Sequence, residues 1–480
     1  MDWTHILFWL FVTTQGFYLL AFVADAYFFA LPVDLVDERP RPTDGRLPFI
    51  VLLYPVLDEL ESTMRTTIEA IGRVDYPLDR YEVRALPNHD DPETTAALHR
   101  IAADHPFVTV MPVPPTTDPA WSVVWRSWNA NPKAYWWHRG SRAGDPALPP
   151  KKTRQLIWAF YTLAAERTDD FLVNYLDADS APPPCHFLSG ARGMRDYDVL
   201  QSTNVAGNLN ASMAASLHAF DHMAWDGRKY LHMSAGGRHP FWVLGKGLFF
   251  RSSDLVELGG FNPWITIEDP EVGMRFWKNG RRLGIMPAPL IEEVPETFAH
   301  GIKQRKRWVA GFWQSLTTPL AMMEFTPTEK LRAWMNFLPC LSLWVNIIGL
   351  PVGIWALVNW VMGIGPLPRW TLVLAAVNVA AYACSMTALY WSTWKRTAIV
   401  LATRRARLWY LLRVNPVVVW LWWAMWLVPL WIGWRMYRRD HGLVWERTEK
   451  IDANAALVRR RAAPAPLVAT VVPAITPRRG

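Results

Sequence analysis

The apolar residues of this 480-residue chain are concentrated towards its two ends. Residues 6–23 carry no charge over 18 positions, enough to cross a bilayer and longer than the apolar core of a signal peptide. Three more runs of sufficient length lie towards the other end, at residues 333–363, 371–391 and 414–437. The pattern predicts an uncleaved N-terminal anchor in residues 1–33 and a C-terminal transmembrane or interfacial region in residues 333–437.

Basic residues cluster beside these apolar runs, at residues 395–413 and again at 435–439. Lys and Arg next to membrane spans favour the cytoplasmic side, so both clusters are expected in the cytoplasm. If the middle of the chain is also cytoplasmic, an even number of crossings must follow it, yet three apolar runs are present. Two arrangements remain open: residues 333–363 divide near Pro351 into interfacial or re-entrant pieces, or one end of the tail lies outside.

Between the apolar ends, after a charged, Pro-rich linker at residues 34–47, strands and helices alternate. Residues 49–54 form a continuous apolar run ended by Pro55, typical of a strand buried on both faces of a parallel sheet. Further strands are predicted at residues 82–86, 107–113 and 171–176, and helices at 59–71, 94–103 and 152–167. The order predicts one α/β domain with a mostly parallel sheet over residues 48–316.

The fourth predicted strand ends directly on Asp177, Ala178 and Asp179. Parallel sheets bind ligands outside the carboxyl ends of their strands. Two carboxylates at such an end could hold a divalent cation that carries a diphosphate, although on the residues alone a solvated turn is equally compatible. The sequence has neither the P-loop nor the Rossmann glycine fingerprint, which argues against those two nucleotide-binding classes.

Two later motifs combine charge with helical spacing. Glu268 and Asp269 precede a predicted helix at residues 271–279, where the helix dipole alone would favour acidic residues. The alternative is that one carboxylate serves as general base for an acceptor hydroxyl. The sequence QRKRW at residues 304–308 lies in a basic, Trp-rich segment, residues 303–320, which is typical of a helix on the membrane surface.

Composition narrows the class of partner. The chain contains 29 Trp, is 51% apolar and carries a formal net charge of +8. Such a charge suits nucleic acid or anionic lipid, and the position of the basic residues beside apolar runs favours the lipid bilayer over nucleic acid. Cys185, Cys340 and Cys384 have no metal-type spacing, so neither a zinc site nor a disulfide framework is expected.

Taken in order, these motifs resemble the membrane-integrated family 2 glycosyltransferases, the group of cellulose, chitin, hyaluronan and mannan synthases. The resemblance covers about residues 48–316. Its landmarks are Pro55 to Glu59, Lys152, Asp177 to Asp179, the GKGLFFR sequence at residues 245–251, Glu268-Asp269 and the QRKRW sequence. It implies a GT-A-type nucleotide-sugar-binding domain flanked by transmembrane and interfacial helices.

The resemblance also implies roles for individual residues. Asp269 would be the general base, with Glu268 beside it. The residues expected to hold a nucleotide diphosphate sugar are Pro55, Glu59, Lys152, Asp177 and Arg307. Those expected to contact the acceptor are Gln304 and Trp308, and those expected to ligate Mg²⁺ or Mn²⁺ are Asp177 and Asp179.

Three features depart from the family pattern. The turn after the second strand, where an Asp usually reads the base, leaves Asn88, Asp90 and Asp91 as alternatives. The sequence LFFRS at residues 248–252 replaces the cellulose-type FFCGS, so glucan polymerisation does not follow. A Trp-rich insertion at residues 121–137 suggests either a patch that docks on the membrane or an aromatic flap over the acceptor.

The sequence therefore predicts an inverting, metal-dependent synthase that extends a β-linked polysaccharide and translocates it, with or without a secretion partner. It would be a multi-pass protein of the plasma membrane with a cytoplasmic catalytic domain and a basic, partly disordered tail at residues 438–480. One alternative is transfer of a single sugar to a lipid acceptor. Another, of a different class, is a catalytically silent membrane receptor or assembly protein.

Overall fold

A computed structural model describes residues 3–39, 47–364, 367–439 and 451–461. Parts of the predicted linker (40–46) and of the predicted tail (440–450 and 462–480) lie outside these ranges. Its centre is a seven-stranded sheet in the order β3-β2-β1-β4-β6-β5-β7. The strands are β1 (Ile50–Pro55), β2 (Tyr81–Leu86), β3 (Val108–Val110), β4 (Leu172–Tyr175), β5 (Val199–Ala206), β6 (Leu248–Arg251) and β7 (Leu283–Glu292).

The sheet is mostly parallel, as predicted. Strand β1 pairs in parallel with β2 and β4, β2 with β3, and β5 with β7, whereas β6 runs antiparallel between β4 and β5. All six residues of β1 are buried, which explains its unbroken apolar sequence. The third strand is shorter than predicted and covers only Val108–Val110.

Helices cover both faces of the sheet. In chain order, the helices within residues 3–323 are α1 (Trp3–Ala30), α2 (Glu61–Ile71), α3 (Pro92–Asp104), α4 (Ser122–Ala130), α5 (Tyr135–His138), α6 (Lys152–Glu166), α7 (His186–Gly193), α8 (Met213–Ala224), α9 (Tyr230–Ser234), α10 (Ser252–Glu257), α11 (Asp269–Lys278), α12 (Phe298–Thr317) and α13 (Leu320–Met323). The first predicted helices of the domain are present, each within about two residues of its predicted start.

The Trp-rich insertion belongs to the domain core. Helices α4 and α5 bury Trp121, Trp128 and Trp136. The Trp128 indole donates a hydrogen bond to the Gly259 carbonyl (3.1 Å), and the Arg275 guanidinium lies 4.8 Å from the centre of the Trp136 ring. Both interpretations of this insertion, the membrane patch and the acceptor flap, are wrong for these three side chains, because burial leaves them in contact with neither lipid nor acceptor.

The C-terminal part is helical. Its helices are α14 (Pro327–Met362), α15 (Arg369–Arg396), α16 (Arg404–Arg413), α17 (Pro416–Met425), α18 (Leu427–Arg438) and α19 (Ala455–Arg461). Among the described residues, four helical stretches are long and apolar enough to cross a membrane: Trp3–Ala30, Trp344–Met362, Arg369–Ile399 and Pro416–Arg438. The expected division near Pro351 is wrong, because α14 is continuous there. A break falls instead at Trp426, between α17 and α18.

Candidate active site

A cavity of about 250 Å³ opens at the carboxyl ends of β1 and β4. Parallel strands that end at the same edge of the sheet bring residues from distant parts of the sequence together there. The structure places all of the predicted site residues in the wall of this cavity: Pro55, Glu59, Lys152, Asp177, Asp179, Glu268, Asp269, Gln304, Arg307 and Trp308. The site residues are therefore collected in one place, although they are drawn from more than half of the chain.

One side of the cavity holds an ion-pair network at the start of α6. The Lys152 ammonium lies 2.8 Å from the Asp177 carboxylate and 3.1 Å from the Glu268 carboxylate. Although burial acts in the opposite direction, these carboxylates hold the pKa of Lys152 well above its ordinary value. Asp179, two residues after Asp177, accepts a hydrogen bond from the Glu293 backbone N–H (3.0 Å). Lys152 therefore places a positive charge between the two acidic motifs.

Asp269 begins α11 and is held by two donors. The Tyr175 hydroxyl donates to one carboxylate oxygen (2.9 Å), and the Gly245 backbone N–H donates to the other (2.7 Å). A Cβ on residue 245 would lie 2.9 Å from that second oxygen, so the close approach requires glycine. Burial, together with the charge on Glu268, raises the pKa of Asp269 well above its ordinary value. A carboxylate with a raised pKa is a stronger proton acceptor.

Helix α12 carries the QRKRW sequence, and it starts earlier than the predicted segment, at Phe298. Residues three and four apart share a helical face, and Gln304, Arg307 and Trp308 all reach the cavity. Arg305 is not part of the cavity wall: it is fully buried and donates to the Asp221 carboxylate (2.9 Å). The motif thus contributes the Arg307 cation and the Trp308 ring to the cavity, and Arg305 fixes the helix to α8 through Asp221.

Sequence reasoning missed a second wall of the cavity, formed at the end of α8 and in the π-helical turn Trp225–Lys229 that follows. Such turns are frequent at functional sites. His222 and Asp226, four residues apart, are joined by a 2.7 Å contact, and the His222 Nε2 atom has no hydrogen-bond partner among the described residues. The remaining side chains of this wall are Asp221, Trp225, Tyr230, Trp426 and Leu430. The four-residue spacing of His222 and Asp226 is the signal that could have revealed it.

Lys246 was also missed, because its glycine-flanked sequence matches no nucleotide-binding fingerprint. It lines the cavity and contacts the buried Glu292 carboxylate. Glu292 also accepts hydrogen bonds from Asn204 and Ser180, both at 2.8 Å. Burial works against the charge, but Glu292 raises the pKa of Lys246 above its ordinary value. Together with Lys152 and Arg307, Lys246 makes this cavity rich in cations.

The three alternatives for the base-reading residue differ in their contacts. Asn88 is buried and accepts a hydrogen bond from Arg154 (2.9 Å). Asp91 caps α3 by accepting from the Thr94 backbone N–H (3.1 Å). Asp90 has the most exposed side chain of the three, at 63%. None of them lines the cavity described above.

The acidic residues of the site fit a divalent cation only in part. Within the described ranges, no group of three or more His, Cys, Asp or Glu side chains could hold a metal ion by itself. Asp177 and Asp179 could supply two oxygen ligands at the cavity wall. Mg²⁺ typically takes one or two carboxylates and completes its shell with phosphate and water. The donor set therefore fits a cation that arrives with a diphosphate.

The sequence profile described as glycosyl transferase family group 2 matches residues 172–437, more than half of the chain, from β4 to the end of α18. The chain belongs to this family. It is therefore a member of family 2 of the glycosyltransferases.

The curated relatives are distant. The chain is 22% identical over 276 residues to a probable glycosyltransferase, YdaM, of Bacillus subtilis, with 56% of this chain and 57% of that protein covered. It is 23% identical over 236 residues to a probable glycosyltransferase of Sulfolobus acidocaldarius, with 44% and 49% covered. The matched region thus spans about half the length of these relatives.

One solved structure resembles almost the whole chain. It is a mannosyltransferase from Pyrobaculum calidifontis in complex with GDP-Man and Mn²⁺, with a TM-score of 0.52 and 16% identity. The similarity covers 91% of this chain and 99% of that one. It confirms the predicted fold class, a GT-A-type domain flanked by long apolar helices.

Proposed function

We propose that this glycosyltransferase is a membrane-embedded, inverting, metal-dependent enzyme that extends a β-linked polysaccharide from a nucleotide diphosphate sugar. The observation that carries the proposal is a single cavity lined by the Asp177-Asp179 pair, by Asp269 and by the QRKRW helix. The catalytic domain, residues 48–316, would lie in the cytoplasm beneath plasma-membrane spans, and residues 438–480 would form a basic tail. A secretion partner is compatible with this scheme.

The donor's diphosphate would lie among the cations of the cavity. Lys152, Lys246 and Arg307 line it and can offset the charge that develops on a departing diphosphate. Asp177 and Asp179 would hold Mg²⁺ or Mn²⁺, which when bound supplies further positive charge to the phosphates. Pro55 and Glu59, at the end of β1 and before α2, would complete the nucleotide side, and the exposed Asp90 is the candidate for reading the base.

Asp269 would act as the general base. It would take the proton of an acceptor hydroxyl as that oxygen attacks the anomeric carbon from the face opposite the diphosphate. One carbon–oxygen bond forms, the bond to the diphosphate breaks, and the anomeric configuration inverts. Glu268 stays charged for this step: burial opposes ionisation, but the Lys152 charge holds the pKa of Glu268 below its ordinary value.

The acceptor would approach from the side of Trp308 and Gln304. An indole ring recognises the apolar face of a pyranose, and Trp225, Tyr230 and Trp426 add further rings to the same wall. Several rings in a row suit an acceptor of more than one sugar. This wall favours polymer extension over transfer of one sugar to a lipid, which stays the second candidate.

The test is product formation by the full-length protein in nanodiscs. We expect long product from one member of a panel of radiolabelled nucleotide sugars with Mg²⁺ or Mn²⁺, and loss of that product in Asp269→Asn. The matched control is Asp104→Asn on α3, where the carboxylate is exposed and pairs with Arg65. A product with one added sugar that extracts into organic solvent would support the lipid-acceptor candidate. Absence of transfer from every donor, with an unchanged cellular phenotype in Asp269→Asn, would support the silent receptor.

A further inference from the structure

Helices α16, α17 and α18, residues 404–438, contain the last apolar run of the chain and are called the cover segment below. Within the membrane-embedded enzyme proposed above, we infer that the cover segment does not cross the bilayer. It lies along the membrane surface against the catalytic domain and closes the acceptor end of the cavity. The chain then crosses the membrane three times, through α1, α14 and α15.

Helices α1 and α14 pack side by side with opposite chain directions. At the domain end, the Tyr27 hydroxyl of α1 lies 2.9 Å from His239 of the domain. Further along, Tyr18 donates to Asn346 of α14, and Phe11 contacts Trp360 with ring centres 5.6 Å apart. Each of these two helices therefore has one end at the domain and one end remote from it, as a membrane span requires.

Helix α15 returns to the domain. It starts beside the remote end of α1, where Trp370 contacts Phe8 (6.0 Å between ring centres). It ends at the domain, where Arg396 donates to the backbone carbonyls of Asn204 (2.7 Å) and Gly227 (3.1 Å). Two crossings thus follow the domain, which is the even number that two cytoplasmic basic clusters demand.

The cover segment behaves differently, because it contacts the domain repeatedly from Arg413 to Tyr437. Arg413, the last residue of α16, donates to the Asn210 carbonyl (3.2 Å). Residues 422–437 then lie beside α12 and run in the same direction. Phe298 lies next to Trp422, Lys306 next to Gly433, and Trp313 next to Tyr437. Helix α12 lines the cavity and carries four basic residues near its middle, so it is not itself a span. Because α17 and α18 stay beside α12 over its length, they lie at the same level of the membrane surface as α12.

A single buried carboxylate fastens the cover segment to the domain. Asp221 of α8 accepts hydrogen bonds from the indoles of Trp422 (2.8 Å), Trp423 (3.0 Å) and Trp426 (2.9 Å) and from the Arg305 guanidinium (2.9 Å). Such a buried charge network is costly to break. It holds the break between α17 and α18 against the cavity, where Trp426 and Leu430 form part of the wall.

The chain beyond the cover segment is again on the domain. The backbone N–H groups of Ile451 and Ala453 both donate to the Glu293 carboxylate, and Thr66 donates to Asp452 (3.0 Å). If the 23 residues of Pro416–Arg438 crossed the bilayer, residues 440–450 would have to cross it back. Those eleven positions are too few, because a helical span needs about 20 residues.

The outward face of the cover segment suits a lipid interface. Its exposed side chains are large and apolar: Leu408, Trp409, Leu412, Val417, Trp420, Leu421, Val428 and Trp431. Arginines that can reach headgroups flank them at positions 404, 405, 435 and 438. Trp and Arg in this arrangement are typical of helices that lie at the headgroup level.

The first test maps the side of the membrane with single cysteines in a full-length chain whose native Cys185, Cys340 and Cys384 are replaced by alanine. Intact cells are treated with a membrane-impermeant maleimide, before and after permeabilisation. We expect Met362→Cys to react in intact cells, and Glu93→Cys and Arg439→Cys to react only after permeabilisation. Reaction of Arg439→Cys in intact cells would overturn the inference. If Met362→Cys also needs permeabilisation, the membrane-spanning part of the proposed function is wrong instead.

The second test measures depth, with spin labels at Leu421→Cys and Val428→Cys on the outward face of the purified enzyme in nanodiscs. The depth of each label is obtained from the ratio of its accessibility to oxygen, which dissolves in lipid, to its accessibility to a water-soluble nickel complex. On a surface helix both labels should lie at a similar shallow depth, about 5–10 Å below the headgroups. In a span, Val428 would lie near mid-bilayer, about 15 Å deep, and well below Leu421, which would refute the cover arrangement.

Discussion

Replacement of Tyr175 by Phe removes a hydroxyl that donates a 2.9 Å hydrogen bond to the Asp269 carboxylate. This hydrogen bond stabilises the ionised form of Asp269, so its loss should raise a pKa that burial and Glu268 already raise. A hydrogen bond to a charged group contributes about 1.5–3 kcal/mol, and one pKa unit corresponds to about 1.4 kcal/mol. Because the Gly245 N–H still donates to Asp269, we expect an upward shift of about one unit.

The sign of the effect on activity follows from the proposed role. A general base works only when deprotonated, so the acid limb of the rate profile moves to higher pH and activity falls at neutral pH. The assay is kcat/KM for sugar transfer between about pH 5 and 9, since this parameter reports ionisations of the free enzyme. The Phe ring can keep the 5.0 Å contact that Lys152 makes with the Tyr175 ring.

The matched control is Tyr161→Phe, another buried tyrosine, whose ring packs edge-on against Trp128 with ring centres 6.4 Å apart. It also loses a buried hydroxyl, but it should leave the acid limb in place. An acid limb that stays unchanged in Tyr175→Phe, or that moves to lower pH, would mean that Asp269 is not the base that limits transfer.

Three further predictions concern other parts of the molecule. Asp221→Asn should lower the free energy of unfolding by about 3–5 kcal/mol, because it leaves the buried Arg305 without its counter-charge. The measurement is Tm, and an unchanged Tm would contradict the role of Asp221 in holding the cover segment to the domain. Gly433→Ala places a Cβ 2.5 Å from the Lys306 carbonyl and should cost about 1–3 kcal/mol, whereas Gly353→Ala, with nothing within 4 Å, should not destabilise. Chelation by EDTA should abolish transfer and Mn²⁺ restore it, with Asp179→Asn needing about tenfold more Mn²⁺, and full activity in EDTA would exclude the metal role.

The sequence pattern predicted the α/β core, and it named residues that the structure places around one cavity. A strand such as β1 can be recognised by its continuous apolar sequence, because both of its faces are buried and no position favours a polar side chain. Asp177 could be assigned to a strand end, and the cavity contains it together with Glu268 and Arg307. The antiparallel β6 was not predicted, because pairing direction depends on partners distant in sequence, and β3 is shorter than the strand predicted at residues 107–113.

The second wall of the cavity could not be derived in the same way. His222 and Asp226 look like an ordinary helical face until a π-helical turn and the neighbouring Trp308 give them a cavity to line. The Trp-rich insertion shows the converse error: Trp121 and Trp128 appeared free to meet lipid or sugar, but the domain core closes over them. Composition shows that these Trp side chains could be buried, but only the packing of the whole chain determines whether they are.

Sequence by itself determined that the chain has four stretches apolar enough to enter a membrane, because length and hydropathy are local properties. Only the tertiary structure decided which ends of those stretches return to the domain. The contacts of Arg396 and of Asp221 with distant residues carry that information, and they made an odd number of apolar runs compatible with two cytoplasmic basic clusters. Hydropathy measures how well a helix suits lipid, whereas its orientation is set by what holds its two ends.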